Sequence, residues 1–217
     1  MPGNGQNGSA VKEKTQGLYD RIADVQNLAM KINGYRASVA KYLKSLDLEI
    51  GTDSIVLDAG SGTGIVTLAF QDAGYMPRRM IALDLSFNSL NVSRSELTKR
   101  KRYATRTDAV QGNVLKLPFA DDSLDLVMMC GVLEYTPLDQ GLSETARVLK
   151  KGAKLVLLPV KQSMVGTVLE VLYNFKIHPV ESVREAASKY FRIVDKHEFP
   201  IVEPIAWSKT IFLLEKK

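Results

Sequence analysis

The sequence predicts an α/β fold in which a parallel β-sheet is covered by helices on both faces. Apolar, strand-like runs alternate with helix-compatible runs through most of the chain, an order typical of parallel sheets. A glycine-rich turn follows the first strand, and the second strand ends in an acid. Because open α/β sheets bind ligands at the carboxyl ends of their strands, we expect the functional site at that edge.

The predicted elements follow one another regularly. Two helical segments, residues 15–31 and 35–46, come before the first strand. The predicted strands cover residues 54–58, 80–84, 108–112, 124–130, 154–160, 191–199 and 209–215. The later helical runs cover residues 65–73, 86–100, 163–175 and 179–187. We expect a flexible tail at residues 1–16 and one domain at residues 17–217, with N-terminal helices at 17–50 and a substrate-side helical insertion at 163–190.

The turn after the first strand reads Asp58-Ala59-Gly60-Ser61-Gly62-Thr63-Gly64. Glycines let the chain turn tightly and let a ligand approach the backbone without meeting a Cβ atom. The amides at the start of the next helix are expected to face the ligand and to favour negative charge. A dinucleotide fingerprint needs Gly-x-Gly-x-x-Gly, whereas the third glycine here comes one residue early. The Gly-Lys-Ser/Thr of a P-loop is absent from this turn.

Two further strand ends carry groups suited to a nucleoside. The second strand ends at Asp84, whose carboxylate can accept hydrogen bonds from two ribose hydroxyls. The alternative for Asp84 is a helix-capping role. The third strand runs into Gly112-Asn113-Val114, where the side-chain oxygen of Asn113 is available to an adenine amino group. The sequence therefore predicts a nucleoside site across the first three strands.

These motifs together resemble the class I methyltransferases that use S-adenosylmethionine (SAM). Asp58-x-Gly60-x-Gly62-x-Gly64 is similar to motif I of that family, and the segments at 123–127, 131–135 and 146–152 are similar to its later motifs. The family usually has Asp where Asn113 stands. The N-terminal Tyr19-Asp20-Arg21-Ile22-Ala23 resembles the opening of the ubiquinone/menaquinone C-methyltransferase group, whose relatives include phospholipid and small-molecule methyltransferases.

The resemblance implies a Rossmann-like, seven-stranded sheet with an antiparallel last strand. It implies SAM as cofactor and S-adenosylhomocysteine (SAH) as product. The residues that it places at the cofactor are Asp58, Gly60, Ser61, Gly62, Gly64, Asp84, Leu85, Asn113, Val114 and Cys130. No metal is implied. The acceptor implied by the group is a small or amphiphilic molecule, such as a quinone, lipid, amine or phenol.

The candidates for catalysis or positioning are Tyr19, Tyr135 and His178. Tyr19 is expected over the cofactor, with a core or helix-surface role as the alternative. Tyr135 follows the fourth strand, at the edge where ligands bind. His178 precedes Pro179 at a predicted helix start, where its imidazole serves as either a general base or a cap. Glu134 is either a pocket acid or a solvated loop acid.

The segment 164–175 carries one charge and is too apolar for a fully solvated helix. Three alternatives remain for it: packing into the core, a lid over an apolar substrate, or shallow contact with a membrane. His197 lies in an alternating strand pattern, which favours a structural role.

Composition limits the remaining possibilities. The 217 residues are 45% apolar and 24% charged, values ordinary for one globular domain. The single cysteine, Cys130, excludes an intramolecular disulfide and a thiolate zinc site. The net charge of +5 concentrates in residues 99–102, which we interpret as a solvated helix end rather than a nucleic-acid site or an attraction to an anionic membrane.

No apolar run reaches the length of a membrane span, and the first residues lack a signal-peptide core. We therefore expect a cytoplasmic location with peripheral membrane contact as an option. The sequence leaves the oligomeric state open.

The leading hypothesis is a SAM-dependent methyltransferase. A non-catalytic SAM-binding regulator or partner subunit fits the same cofactor motifs, and turnover to SAH would separate the two. The glycine spacing disfavours a third hypothesis, an NAD-linked oxidoreductase.

Overall fold

The computed structural model describes residues 34–100, 106–173, 175–200 and 207–217. The helices are α1 (Tyr35–Ser45), α2 (Ile65–Asp72), α3 (Phe87–Thr98), α4 (Leu138–Val148), α5 (Met164–Tyr173) and α6 (Val180–Ser188), with a 3-10 turn at Leu133–Tyr135. The strands are β1 (Ile55–Ala59), β2 (Arg79–Asp84), β3 (Thr107–Gln111), β4 (Leu124–Cys130), β5 (Leu149–Leu158), β6 (Phe191–Glu198) and β7 (Thr210–Lys216).

The strands form one seven-stranded sheet in the order β3-β2-β1-β4-β5-β7-β6. The pairs from β3 through β5 are parallel, whereas β7 runs antiparallel to both β5 and β6. This confirms the predicted seven-stranded sheet with an antiparallel last strand. Ala59 of β1 pairs with Leu83 of β2, so these two strands end level. The glycine turn after β1 therefore lies beside Asp84.

Both faces of the sheet are buried, because successive side chains of each central strand point to opposite faces. In β1, Val56 packs into a core with α1 and α2, whereas Leu57 packs into the core on the α4 and α6 side. In β4, Met128 and Met129 divide in the same way. Each fully buried side chain of this size contributes about 1.5–3 kcal/mol. The two cores fix the carboxyl edge of the sheet as a rigid platform.

The main difference from the predicted elements lies at the start of β5. The strand begins at Leu149, not at residue 154, because Leu149 pairs with Leu124 before a register shift in β4. Residues 150–152 are therefore part of β5, and Gly152 takes a positive φ of 77° there. The predicted tail and the helix at 15–31 lie outside the described residues.

Helix α5 presents apolar side chains to solvent. Met164, Val168 and Val171 are exposed, and their spacing places them along one stripe of the helix. Across residues 34–100, 106–173, 175–200 and 207–217, no helix combines the length and apolar character needed to cross a membrane.

Candidate cofactor and acceptor site

A cavity of about 880 Å³ opens at the carboxyl ends of β1, β2 and β4. Its size is within the range of about 300–1,000 Å³ that is usual for small-ligand sites. The sequence-predicted residues that line it are Asp58, Gly60, Ser61, Gly62, Asp84, Leu85, Asn113, Val114, Cys130 and Tyr135. Gly64 lies behind this wall, where a Cβ atom would meet Ser93 Oγ of α3 at 2.5 Å.

The amides of the glycine turn are hydrogen bonded within the protein. Gly60 N and Ser61 N both donate to Leu83 O, at 2.7 and 2.9 Å. Gly64 N donates to Ser61 O at 2.9 Å. These three groups precede α2, so the expectation that the amides at the start of that helix face the ligand stays a prediction. Because these amides are already hydrogen bonded, the turn suits a ligand that places no phosphate group beside it.

Asp84 joins the turn to the end of β2. Its Oδ2 accepts from Gly62 N at 2.8 Å, and its Oδ1 accepts from Ser86 N at 2.8 Å. A carboxylate has about four lone-pair sites, so each oxygen can still accept from a ligand hydroxyl. The side chain that caps α3 is Ser86, whose Oγ accepts from Ser89 N at 3.2 Å. Capping is therefore not the main role of Asp84.

Asp58 is a buried acid on the cavity wall. Its side chain is 1% exposed, and its Oδ2 accepts from Thr67 Oγ1 at 2.6 Å. Burial raises the pKa of Asp58 to about 7, although the Thr67 hydrogen bond acts in the opposite direction. Within the described part of the chain, Asp58 Oδ1 and Ser61 Oγ are buried without hydrogen-bond partners. Unsatisfied buried polar groups beside a cavity fit a polar ligand such as the amino-acid portion of SAM.

Asn113 lines the predicted adenine end of the cavity. Its Oδ1 accepts from Leu115 N at 2.9 Å, which leaves the second lone pair of that oxygen and the side-chain NH2 group to bond a ligand. Gly112, just before it, would place a Cβ atom 2.9 Å from Leu83 Cδ1. A glycine is therefore needed to bring this loop against β2. Contact between Asn113 and adenine stays a prediction.

Glu134 is buried, so its alternative as a solvated loop acid is wrong. The residue is 6% exposed, and its Oε1 accepts from Val160 N at 2.6 Å. Its backbone O accepts from Lys176 N at 3.2 Å. These bonds connect the loop after β4 to the end of β5 and to the segment after α5. Glu134 thus positions the loop that carries Tyr135.

An apolar wall forms part of the cavity lining. The rings of Tyr135 and Phe175 meet edge to face with their centroids 5.4 Å apart. Val132 and Val160 line the cavity beside them. Leu85 and Phe87 are 69% and 58% exposed at the mouth on the β2 side. This wall suits an acceptor with a substantial apolar surface.

The other two catalytic candidates, Tyr19 and His178, stay predictions. Tyr19 lies outside the described residues. His178 precedes α6 and is absent from the described cavity lining, so its role as a base stays a prediction. His197 stacks on Tyr42 with ring centroids 4.5 Å apart, in agreement with a structural role.

The sequence reasoning missed several cavity residues, among them Tyr35 and Lys209. The hydroxyl of Tyr35 lies 3.1 Å from Cys130 Sγ, and burial raises the pKa of both groups. Both therefore remain neutral near pH 7, which disfavours Cys130 as a nucleophile. Lys209 precedes β7, and only the antiparallel pairing of β7 with β5 brings it to the cavity. The signal that could have identified Lys209 is its position as a charged residue at the start of a mostly apolar strand.

This sheet, with a glycine turn after β1 and an acid at the end of β2, defines a class I SAM-dependent methyltransferase. A family model described as a methyltransferase domain matches residues 57–157. A demethylmenaquinone methyltransferase from Shouchella clausii is 33% identical over 166 residues, which cover 76% of this chain and 68% of that protein. The chain belongs to this methyltransferase family, in which SAM is the cofactor.

A second demethylmenaquinone methyltransferase, from Lactiplantibacillus plantarum, is 33% identical over 68% of this chain, and the chain spans 62% of that protein's length. Among solved structures, a geranyl diphosphate C-methyltransferase from Streptomyces coelicolor, crystallised with SAH, superposes with a TM-score of 0.69. The alignment covers 83% of this chain and 76% of that one, at 15% sequence identity. This similarity supports the fold.

Proposed function

We propose that this methyltransferase acts on an apolar acceptor with an ionisable hydroxyl, and that quinol-like molecules are the class it fits best. One observation carries the proposal. A single cavity connects Asp84 and the Gly62 turn to the apolar wall at Tyr135 and Phe175. A cofactor and a largely apolar acceptor would therefore meet in one continuous cavity.

The cofactor end would be held by groups with distinct roles. The free lone pairs of Asp84 would accept from the ribose hydroxyls, and the uncommitted oxygen of Asp58 would accept from the amino-acid portion. When bound, SAM supplies a methyl group on a sulfonium for in-line transfer to a nucleophile. Correct positioning of two reactants can supply about 7–11 kcal/mol of the barrier reduction. The protein therefore needs rigid walls more than reactive side chains.

The end of the cavity proposed to hold the acceptor is lined by aromatic rings and by branched apolar side chains. Tyr135 and Phe175 form one side, and Val132 and Val160 also line the cavity. Such a surface favours a flat, apolar ring system through burial and edge-to-face contacts. The names of the two bacterial relatives support a quinone-type acceptor. In this proposal residues 163–190 form the substrate side of the domain.

We also propose that the protein meets its acceptor at a membrane surface. The exposed stripe of Met164, Val168 and Val171 on α5 lies just before Phe175 in the chain. An apolar stripe of this kind can enter the headgroup region of a bilayer without crossing it. A lipid-soluble acceptor would then pass from the bilayer to the nearby cavity.

The test is an acceptor screen with SAM and the purified protein, read out as SAH by mass spectrometry. We expect SAH with a short-chain demethylmenaquinol and none with phosphatidylethanolamine or a simple primary amine. Gly62→Val serves as the cofactor-site control. Tight SAM binding with no SAH from any acceptor would instead support the regulator hypothesis.

A further inference from the structure

Lys209 is a buried lysine at the acceptor end of the cavity. It is 5% exposed, lies immediately before β7, and forms a bridge with Val160 after β5. Its Nζ lies 3.4 Å from the position that a Cβ atom on Gly131 would occupy. The ammonium therefore reaches across β5 to the end of β4, where the loop bearing Tyr135 begins.

In the described ranges, no carboxylate oxygen lies within 4.0 Å of Lys209 Nζ and no hydrogen bond satisfies it. Lys161, on the same side of the sheet, shows the usual arrangement: its Nζ pairs with Glu198 at 3.2 Å and lies over the ring of Trp207. Lysines of such low exposure normally meet an anion, whereas the Lys209 side chain lines the cavity instead. Lys209 therefore differs from Lys161, whose ammonium is paired with a carboxylate.

Two acids near the same space are each half engaged. Glu134 Oε1 accepts from Val160 N and Asp58 Oδ2 accepts from Thr67, whereas Glu134 Oε2 and Asp58 Oδ1 are buried without partners among the described residues. The thiol of Cys130 stays neutral because burial raises its pKa, although Lys209 acts to lower it. Among the described residues that line the cavity, Lys209 is the one cation.

The strand order places this charge away from the nucleoside end. Asp84 ends β2, whereas Lys209 precedes β7, and β1, β4 and β5 lie between these strands. The apolar wall at Tyr135 and Phe175 lies on the Lys209 side, since Gly131 begins that loop.

We propose that the Lys209 ammonium binds an oxyanion of the acceptor, so that the acceptor's hydroxyl is held in its ionised form. This inference rests on the proposed function and adds to it the charge state of the acceptor. An opposite charge at contact distance typically lowers the pKa of an acid by about 1–3 units. A phenol or enol is then recognised as its anion, and an acceptor bearing an ammonium group is disfavoured. The other oxyanion that can enter this cavity is the carboxylate of SAM itself.

The test uses para-nitrophenol, whose ionised form is coloured, as a probe of the acceptor site with SAH bound. Its apparent pKa on the protein is measured spectrophotometrically in wild type, Lys209→Met, Lys209→Gln and Lys209→Arg, with Lys161→Met as the matched control. We expect the bound probe's pKa to fall by at least about one unit, a tenfold gain in the ionised form, in wild type, Lys209→Arg and Lys161→Met. The fall should vanish in the Met and Gln variants.

SAH affinity, measured by calorimetry on the same proteins, separates the two oxyanions. Unchanged SAH affinity together with a lost pKa shift supports the acceptor assignment. A tenfold or greater loss of SAH affinity with the probe's pKa unaffected would overturn it and assign Lys209 to the cofactor's carboxylate. A wild-type protein that leaves the probe's pKa unchanged, or does not bind the probe, also overturns it. Failure of wild type to bind SAH would instead overturn the proposed function.

Discussion

Gly62 N donates a 2.8 Å hydrogen bond to Asp84 Oδ2, across 22 residues of chain. The bond links the turn after β1 to the end of β2, so the residue proposed to hold the ribose also fixes the shape of the glycine turn. The positive φ of Gly62, 53°, directs its amide toward the carboxylate. A preformed contact of this kind lowers the ordering cost of binding a ligand.

Asp84→Ala should weaken SAH binding about 10- to 100-fold, because hydrogen bonds to a charged group contribute about 1.5–3 kcal/mol. Isothermal calorimetry gives the affinity. The matched control is Asp108→Ala on β3, whose carboxylate pairs with Arg79 at 2.6 Å on the surface. An Asp84→Ala protein that binds SAH as tightly as the Asp108 variant would remove Asp84 from the site.

Gly62→Val should abolish SAH binding in a protein that still folds. A Cβ atom on Gly62 meets no protein atom within 4 Å, so the new side chain would project into the space of the cavity. Gly74→Val is the control, since Gly74 also has a positive φ, 97°, and an open Cβ direction but lies away from the cavity. Both variants carry similar backbone strain. Equal SAH affinity in the two proteins would contradict a cofactor at this turn.

Asp58 should make the free energy of unfolding depend on pH. Burial raises its folded-state pKa from 3.8 to about 7, so the folded protein retains a proton that the unfolded chain releases. Stability from this group is therefore present at low pH and is lost as pH rises from about 4 to about 7. The total effect is at most about 4 kcal/mol, at about 1.4 kcal/mol for each pKa unit.

Urea denaturation of wild type and Asp58→Asn at pH about 5 and about 8 isolates this contribution. The variant retains an oxygen for Thr67, so its fold should survive. The wild type should lose more stability than the variant between the two pH values. A wild type and variant with parallel pH dependence would show that the acid is not perturbed.

Glu134→Leu should lower the free energy of unfolding by about 1–3 kcal/mol, because it leaves Val160 N without its acceptor. Glu134→Gln keeps an oxygen that can accept from that amide, so its free energy of unfolding should fall by less. Thermal denaturation compares the two variants. Identical melting temperatures would mean that the bond to Val160 does not hold the loop.

Phe175→Asp should reduce kcat/KM for an apolar acceptor while SAH affinity stays unchanged. The substitution replaces a ring that contacts Tyr135 with a charged group, which disfavours an apolar acceptor at this wall. The control is Val168→Asp, because Val168 is 63% exposed on α5 and does not line the cavity. In detergent solution the control should turn over like wild type. Comparable activity of the Phe175 variant would place the acceptor elsewhere.

The sheet and its cofactor edge were predictable because their signals are local. The acid at the end of 80–84 and the glycines after Asp58 are read directly from the chain. The start of β5 was not predictable from local signals. Leu149 joins the strand through its pairing with Leu124, which lies in another part of the chain. Local periodicity contains no information about such register shifts.

The acceptor end was less predictable for the same reason. Tyr35 and Cys130 are 95 residues apart in sequence, yet their side chains meet at 3.1 Å. The sequence left Glu134 as either a pocket acid or a solvated loop acid, because its partner Val160 N lies 26 residues further along the chain. Lys209 came to the cavity only through the antiparallel return of β7. Side-chain partners of this kind depend on topology, which composition and spacing do not specify.

The internal hydrogen bonds of the glycine turn also bear on competition between metabolites. Gly60 N and Ser61 N are both committed to Leu83 O, so the turn withholds from a diphosphate the donors that dinucleotide- and triphosphate-binding loops provide. Abundant adenine nucleotides share the adenosine of SAM but would bring their phosphates to a place without matching donors. The turn should therefore favour an adenosine ligand without phosphate groups over ATP or NAD.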